Sequence, residues 1–380
     1  MMSLVKHTGI KNLKIKKIFI FVLLLSLFAQ NAYAVVKVDD LCYKIGKTKI
    51  VKQNKYFCVK KENGLFWSKP VNNSKPAKNI KSVYDLSKDV SNTSYWAWKN
   101  ANIQISNSKI TGPKTNIYLS PELKSLSIKD EYKVFDLVSK LYDKYYIPSV
   151  VSVIYYTVKD IPWAQNEFSK HSLFYEGNEA SNGCARSHCY GAQARIGKNR
   201  EGLILIGLYS GISNYEVKTL DAHEFSHTIQ SAAFFDTDKE SGSNRGIKQY
   251  MPDWFVEGGA SFSQASSFFY NDFNSYLEER KRIIYNLDKD KQINDDWIKN
   301  FLDPVNTSIW NNGNFVYDIG FLALEAMSAI KGPGIQIDIM LDIANGKSFE
   351  ESFEYRFGVS WKKSIPLLSD YIYKSINNQQ

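Results

Sequence analysis

The segment His223-Glu224-Phe225-Ser226-His227 restricts this chain more than any other feature. On an α-helix, residues four apart lie on one face, one turn displaced, so two imidazoles can converge on a single ion. Glu224, one step round the helix, can then sit beside a water on that ion without being a ligand. Such a helix cannot act alone. A catalytic zinc takes three protein ligands and keeps a fourth position open, so another element must bring a third side chain to the same point. The flanks support the helix: Ser213-Asn-Tyr-Glu216 has the S-x-x-E spacing of a capping box, and Val217, Leu220, Ala222, Phe225 and Ile229 carry an apolar pattern to about Ala233.

Thirty residues after His227, Met251-Pro-Asp-Trp-Phe-Val-Glu-Gly-Gly-Ala260 offers Glu257 as the third ligand, on a helix that Pro252 and Asp253 are suited to start. Gly258 and Gly259 would each cost about 1 kcal/mol relative to Ala on an ordinary helix surface. They therefore predict a close approach of this helix to the one carrying the histidines. The polar stretch from Asp236 to Lys248 reads as the connecting loop. Neutral His223 and His227 with the Glu257 carboxylate would leave a bound Zn2+, one per chain, with net positive charge, which draws the pKa of a bound water toward ~7. Glu224 is then placed to take a proton from that water and hand it to a leaving amine, so the expected substrate is a peptide or protein.

The start of the chain reads as an address. Lys6, Lys11, Lys14, Lys16 and Lys17 precede the 12-residue apolar run Ile18–Ala29 and the A-x-A site Ala32-Tyr33-Ala34. This is the pattern of a secretory signal peptide cleaved after Ala34. Spanning a bilayer takes about 20 apolar residues, and no later stretch is long and apolar enough. With a composition rich in Lys, Asn, Ile and Tyr, the segment predicts a secreted or periplasmic bacterial protein. Removing those five lysines from the net charge of +9 leaves +4, spread evenly, which argues against a nucleic-acid partner. Four cysteines, Cys42, Cys58, Cys184 and Cys189, favour two disulfides in an oxidising compartment. Three pairings are open; proximity suggests Cys42 with Cys58 and Cys184 with Cys189. Metal ligation, with His188 beside Cys189, is the competing reading.

Residues 35–72 form a small β-prone unit, expected as a two- or three-stranded hairpin braced by Cys42 and Cys58. Residues 73–82 are polar and Pro-interrupted and read as a linker. An α/β part follows over 83–212, with strands at Thr115–Leu119, Val150–Tyr156 and Gly202–Leu208 and a helix across about 128–146. From 213 to 380 the pattern is almost wholly helical. The class is thus α+β. The strand at Gly202–Leu208 is expected to line the cleft and to pair with an extended peptide.

H-E-F-S-H followed by W-F-V-E-G-G-A resembles the gluzincin superfamily, the H-E-x-x-H plus Glu metallopeptidases that include thermolysin and aminopeptidase N. Tyr317-Asp-Ile-Gly-Phe-Leu-Ala-Leu-Glu325 is similar to the Y-x-x-G segment of the aminopeptidase N group, which implies that Tyr317 stabilises a tetrahedral intermediate. Asn345–Phe353 and Phe357–Trp361 resemble the closing helices of peptidase-MA-like proteins. The resemblance covers about residues 200–375 and implies a zincin-like mixed sheet with an active-site helix, followed by a mostly helical subdomain. Two departures qualify it. No G-x-M-E-N sequence is present, and Gly177-Asn-Glu-Ala180 is no substitute, so an endopeptidase or narrow processing enzyme is favoured over an aminopeptidase. The position four after Glu257, an acid in many relatives, is Ser261, which leaves Asp221 as a candidate to orient an imidazole. Two other readings stand beside this one. Cys184, 39 residues before His223, would be the third ligand in an arrangement like that of peptide deformylases. Alternatively, the chain would be a catalytically silent envelope or binding protein of gluzincin fold. The N-terminal unit resembles short Cys-Cys-Trp modules of bacterial extracellular proteins, which implies contact with a cell surface.

Overall fold

The structure, a computed structural model, describes residues 48–51, 54–61, 64–67, 79–123, 132–173, 176–184, 188–189, 191–209, 214–285, 287, 292–303, 313 and 315–377. The signal segment, Cys42 and with it the Cys42–Cys58 pairing, linker residues 73–78 and the capping Ser213 lie outside them. The chain divides into two units, Met1–Pro76 and Ala77–Gln380. The first holds an antiparallel meander, β1 (Thr48–Val51), β2 (Asn54–Lys61) and β3 (Gly64–Trp67), in register from Thr48 opposite Phe57 and from Cys58 opposite Trp67.

The second unit contains a four-stranded mixed sheet of order β4-β5-β7-β6, formed by β4 (Lys114–Leu119), β5 (Val150–Tyr156), β6 (Ala192–Ile196) and β7 (Gly202–Gly207). β4, β5 and β7 are parallel, while β6 runs antiparallel to β7. β5 and β7 are buried on both faces, which is why they read as unbroken apolar runs. Val151, Val153, Ile204 and Ile206 face α2 (Tyr132–Leu141) and α4 (Asn214–Ala232), where the Phe135 and Phe225 rings meet at 5.2 Å. Ile154, Leu203 and Leu205 face α3 (Ile161–His171) through Ala164 and Phe168. The expectation for Gly202–Leu208 is corrected here. β7 is flanked by β5 and β6 and so offers no edge to a peptide; the outer strands are β4 and β6, and the mixed sequence of β6, Ala-Gln-Ala-Arg-Ile, carries no apolar run.

A further helix, α1 (Val90–Asn107), precedes the sheet. It is rich in Ser and Asn, weak helix formers that mask its periodicity. Its polar side chains are used elsewhere: Asn100 donates to the carbonyls of Ser328 and Ala329, Asn102 to that of Tyr270 and the Trp98 indole to that of Phe269. These carbonyls lie at or just past helix C-termini, where intrahelical partners thin out; those of Ser328 and Phe269 also accept from the Gly332 and Asp272 N–H groups.

Beyond α4 the described residues are helical: α5 (Asp253–Phe268), α6 (Phe273–Ile283), α7 (Asp295–Leu302), α8 (Phe315–Lys331), α9 (Ile335–Ala344), α10 (Phe349–Phe357) and α11 (Trp361–Asn377). The glycines of α5 do mark close approach, but to other neighbours than the histidine helix. A Cβ on Gly258 would overlap the backbone of Gly320 in α8, and one on Gly320 would overlap the Trp254 carbonyl. A Cβ on Gly259 would overlap the Gln336 side chain. The two bare backbones let α5 and α8 cross closely enough to bring their N-terminal halves to one place.

Behind that crossing, Glu325 is fully buried. Arg280 Nε donates to both its oxygens at 3.0 and 2.9 Å, and the hydroxyls of Tyr276 and Tyr371 donate at 2.7 and 2.6 Å. Removing one member of such a pair strands the other charge, at about 3–5 kcal/mol. Glu325→Gln is therefore expected to lower unfolding free energy by that order in urea titration. Gly320→Ala, which sets a methyl group against backbone, is expected to cost at least the ~1–3 kcal/mol of an overpacked core, read as a fall in melting temperature.

Candidate metal centre

α4 and α5 lie side by side, and their facing turns bring three ligand atoms together. His223 Nε2 and His227 Nε2 each lie 3.2 Å from Glu257 Oε2, and the two nitrogens are 3.1 Å apart. All three side chains are buried. Zinc–nitrogen bonds of ~2.0–2.1 Å in tetrahedral geometry imply ligand–ligand edges of roughly 3.3–3.4 Å, close to this triangle. Among the described residues, His223, His227 and Glu257 are the group of His, Cys, Asp and Glu side chains suited to hold a metal ion. Three acceptor atoms facing one another at a buried site repel unless a cation lies between them, so the donor set fits a divalent ion.

The orientation of each ligand has a visible cause. His227 Nδ1 lies 2.7 Å from Gln230 Oε1. The Gln230 amide nitrogen donates to the Val256 carbonyl at 2.9 Å and to Gln336 Oε1 at 3.0 Å, so its oxygen must face the imidazole. The proton then resides on Nδ1, and Nε2 offers its lone pair to the centre. The Gln336 amide nitrogen in turn donates to the Phe255 carbonyl. Lys248 Nζ holds Glu257 Oε1 at 2.5 Å and leaves Oε2 for the histidines. Burial opposes ionisation of Glu257, but the neighbouring His227 and Lys248 outweigh it and hold the carboxyl well below its ordinary range.

Glu224 follows His223 on α4 and is itself buried, 6% exposed. Burial pushes its carboxyl up to about 7; Glu257 adds repulsion, while His223, Lys248 and Arg195 pull the other way. Tyr317, in the first turn of α8, stands with its ring centroid 5.9 Å from that of His223. Burial raises its phenol well above the ordinary value, and the nearby Glu257 and Glu224 raise it further.

The other sequence candidates fall as follows. Asp221 is fully buried and its carboxylate accepts from the Tyr155 hydroxyl at 2.7 and 2.8 Å, while the His227 ring is oriented by Gln230. Ser261 is buried one turn past Glu257 on α5. Cys184 is at disulfide distance from Cys189, with sulfurs 1.95 Å apart, which removes it as a third ligand and removes the cysteine-with-His188 metal reading. The sequence reading missed Gln230, Gln336 and Lys248. Only Gln230 left a local signal, three residues past the second histidine on the same helix face. Comparison with protein-family models and with curated proteins gave no match.

A metal that binds here stabilises the folded chain by mass action, about 2.7 kcal/mol at a hundred times its Kd. The purified chain is expected to bind one divalent ion and to melt at lower temperature after chelation. His223→Ala, His227→Ala and Glu257→Ala are each expected to abolish that difference. Gln230→Ala is expected to weaken metal binding about ten- to hundredfold, measured by competition with a chromogenic chelator.

Proposed function

We propose that this chain is an exported zinc-dependent peptidase of gluzincin type, with His223, His227 and Glu257 as ligands and Glu224 as general base. The observation that carries the reading is the meeting of two imidazole Nε2 atoms and one carboxylate oxygen within 3.2 Å, with a buried acid next along the helix. A divalent ion bound by these residues supplies acidification of a coordinated water and polarisation of a carbonyl. Glu224, kept out of the ligand triangle by its place on α4, accepts the proton from the attacking water and returns it to the departing amine. Its burial, which disfavours the charged carboxylate, suits a group that takes up a proton and passes it on. The Tyr317 hydroxyl donates a hydrogen bond to the developing oxyanion, a contribution of roughly 3–4 kcal/mol where one such donor has been removed from other enzymes. Its high pKa keeps that proton in place.

Internal cleavage is favoured over removal of single N-terminal residues. Glu179, the acid of Gly177-Asn-Glu-Ala180, is 1% exposed, and its carboxylate already accepts from the backbone N–H groups of Glu176 and Gly177 at 2.7 and 3.1 Å and from Gln165 at 2.6 Å. Three of the carboxylate's roughly four lone-pair positions are thus taken, and its burial closes it to a substrate amino terminus. Export is supported by the basic-then-apolar start, by the cysteine pair at disulfide distance, and by the finding that no helix among the described residues is long and apolar enough to cross a membrane.

Glu224→Gln separates the chemistry from the fold. The variant is expected to retain one zinc per chain and an unchanged melting temperature, and to lose peptide cleavage by at least a hundredfold, measured by mass spectrometry on an unbiased peptide library. Cleavage at wild-type rate would reject Glu224 as the base. Zinc binding without turnover in the wild type would leave a silent binding protein.

A further inference from the structure

The loop that joins the histidine helix to the helix of Glu257 is not a slack connection. It is fastened to the sheet. Arg200, in the turn between β6 and β7, donates to Asp236 at 3.0 Å, the Ile196 N–H donates to the Gly242 carbonyl at 2.8 Å, and Arg195 forms a β-bridge with Ser243. It is fastened to the helices as well. Lys239 Nζ donates to the Ile343 carbonyl at 2.6 Å, in the last turn of α9, and lies 5.3 Å from the centroid of the Tyr250 ring. Ser243 caps the short helix Asn244–Ile247, and the Ile247 side chain is fully buried. Lys248 follows directly, so its side chain springs from a backbone that is held in place.

That side chain is 15% exposed and its ammonium lies 2.5 Å from Glu257 Oε1, while Oε2 lies 3.2 Å from both imidazole nitrogens. The two oxygens of one carboxylate thus have separate duties, and among the described residues Lys248 is the group that donates to Oε1. A carboxylate at a cation site binds through one oxygen or through both. A donor seated on the second oxygen removes that choice. The charge of the donor works the other way, because an ammonium beside the site repels an incoming divalent ion. The two effects on metal affinity have opposite signs, which makes them separable by measurement.

We propose that Lys248 is a positioning residue that keeps Glu257 a single-oxygen ligand. It thereby fits the centre to an ion that takes few ligands, such as zinc, over manganese or calcium, which collect oxygens. The inference rests on the metal centre of the peptidase reading and adds to it the source of its metal preference. Holding a long side chain in one geometry has an entropic cost, and the seated loop limits that cost by fixing the backbone from which Lys248 reaches the carboxylate. Glu257 then has an orienting partner of its own, as His227 has in Gln230.

The test reads coordination as well as turnover. The full chain is freed of metal and titrated with Co2+, whose visible absorption is intense in four-coordinate and weak in six-coordinate surroundings. The unsubstituted chain is expected to give the intense spectrum. Lys248→Met, of similar length but without a donor, is expected to give a weaker one as the second carboxylate oxygen joins. The same variant is expected to lose about tenfold in Zn2+ affinity, measured by competition with a chromogenic chelator, and about the same factor in its preference for Zn2+ over Mn2+. Lys248→Gln, whose shorter stem leaves Oε1 without its donor, is expected to behave likewise, so the outcome does not depend on one variant folding. Lys248→Arg is expected to retain the wild-type spectrum. A spectrum and a Zn2+/Mn2+ ratio left unchanged by Met and Gln overturn the proposal. So does a rise in affinity for both ions with an unchanged spectrum, the mark of a lysine acting as a bare charge. Failure of the unsubstituted chain to bind Co2+ overturns the proposal and the peptidase reading together. A spectral shift in the variants, alongside absence of peptide cleavage by the zinc-loaded wild type, sinks the peptidase reading alone and leaves Lys248 in its role.

Discussion

One amide side chain joins the two helices on which this centre depends. Gln230 accepts from the ring of His227 and donates to the α5 carbonyl of Val256, the residue before Glu257. The contact that orients one ligand thereby sets the height of the helix that brings the other. Gln336 ties a third helix into the same joint through Gln230 and the Phe255 carbonyl. Buried polar groups that are fully satisfied are rigid because any displacement strands one of them. That rigidity holds three acceptor atoms at mutual distances they would otherwise avoid.

The legible parts of this centre were the local ones. The pairing of His223 with His227 is a consequence of helical pitch, and Glu257 could be found because Pro252 and Asp253 announce the start of its helix. Strands β5 and β7 were readable because burial on both faces demands apolar residues at every position. What escaped was either long-range or disguised. Gln336 acts across 106 residues on Gln230, and no spacing rule covers such a distance. β6 hides because an outer strand tolerates polar residues such as Gln193 and Arg195, which break its apolar pattern. α1 hides because its asparagines are spent on the ends of other helices. Gly258 and Gly259 announced a close contact correctly, but a glycine says only that something comes near, and here it is Gly320 and Gln336.

Helix α8 divides its labour along its length. Its first turn turns Tyr317 toward the His223 ring, its middle supplies Gly320 to the crossing with α5, and its second half buries Glu325 among Arg280, Tyr276 and Tyr371. The acid at the end of the segment Tyr317–Glu325 is therefore a structural anchor that fixes the helix from behind. The crossing glycine converts that fixed position into the placement of the phenol. A substitution far from the metal could thus alter chemistry by rotating α8, without touching a ligand.

The way α1 is spent has a consequence for how this unit can be divided. Its side chains close off carbonyls beside the C-termini of α5 and α8, the very helices that present Glu257 and Tyr317. A fragment beginning at the histidine helix would keep every group that touches the centre and still lose the side-chain donors that α1 sends to those carbonyls. Residues 83–212 and 213–380 are in this sense not a scaffold and an engine that could be exchanged separately. They are two halves of one inheritance, and recombination between relatives would have to carry α1 along with the helices it seals.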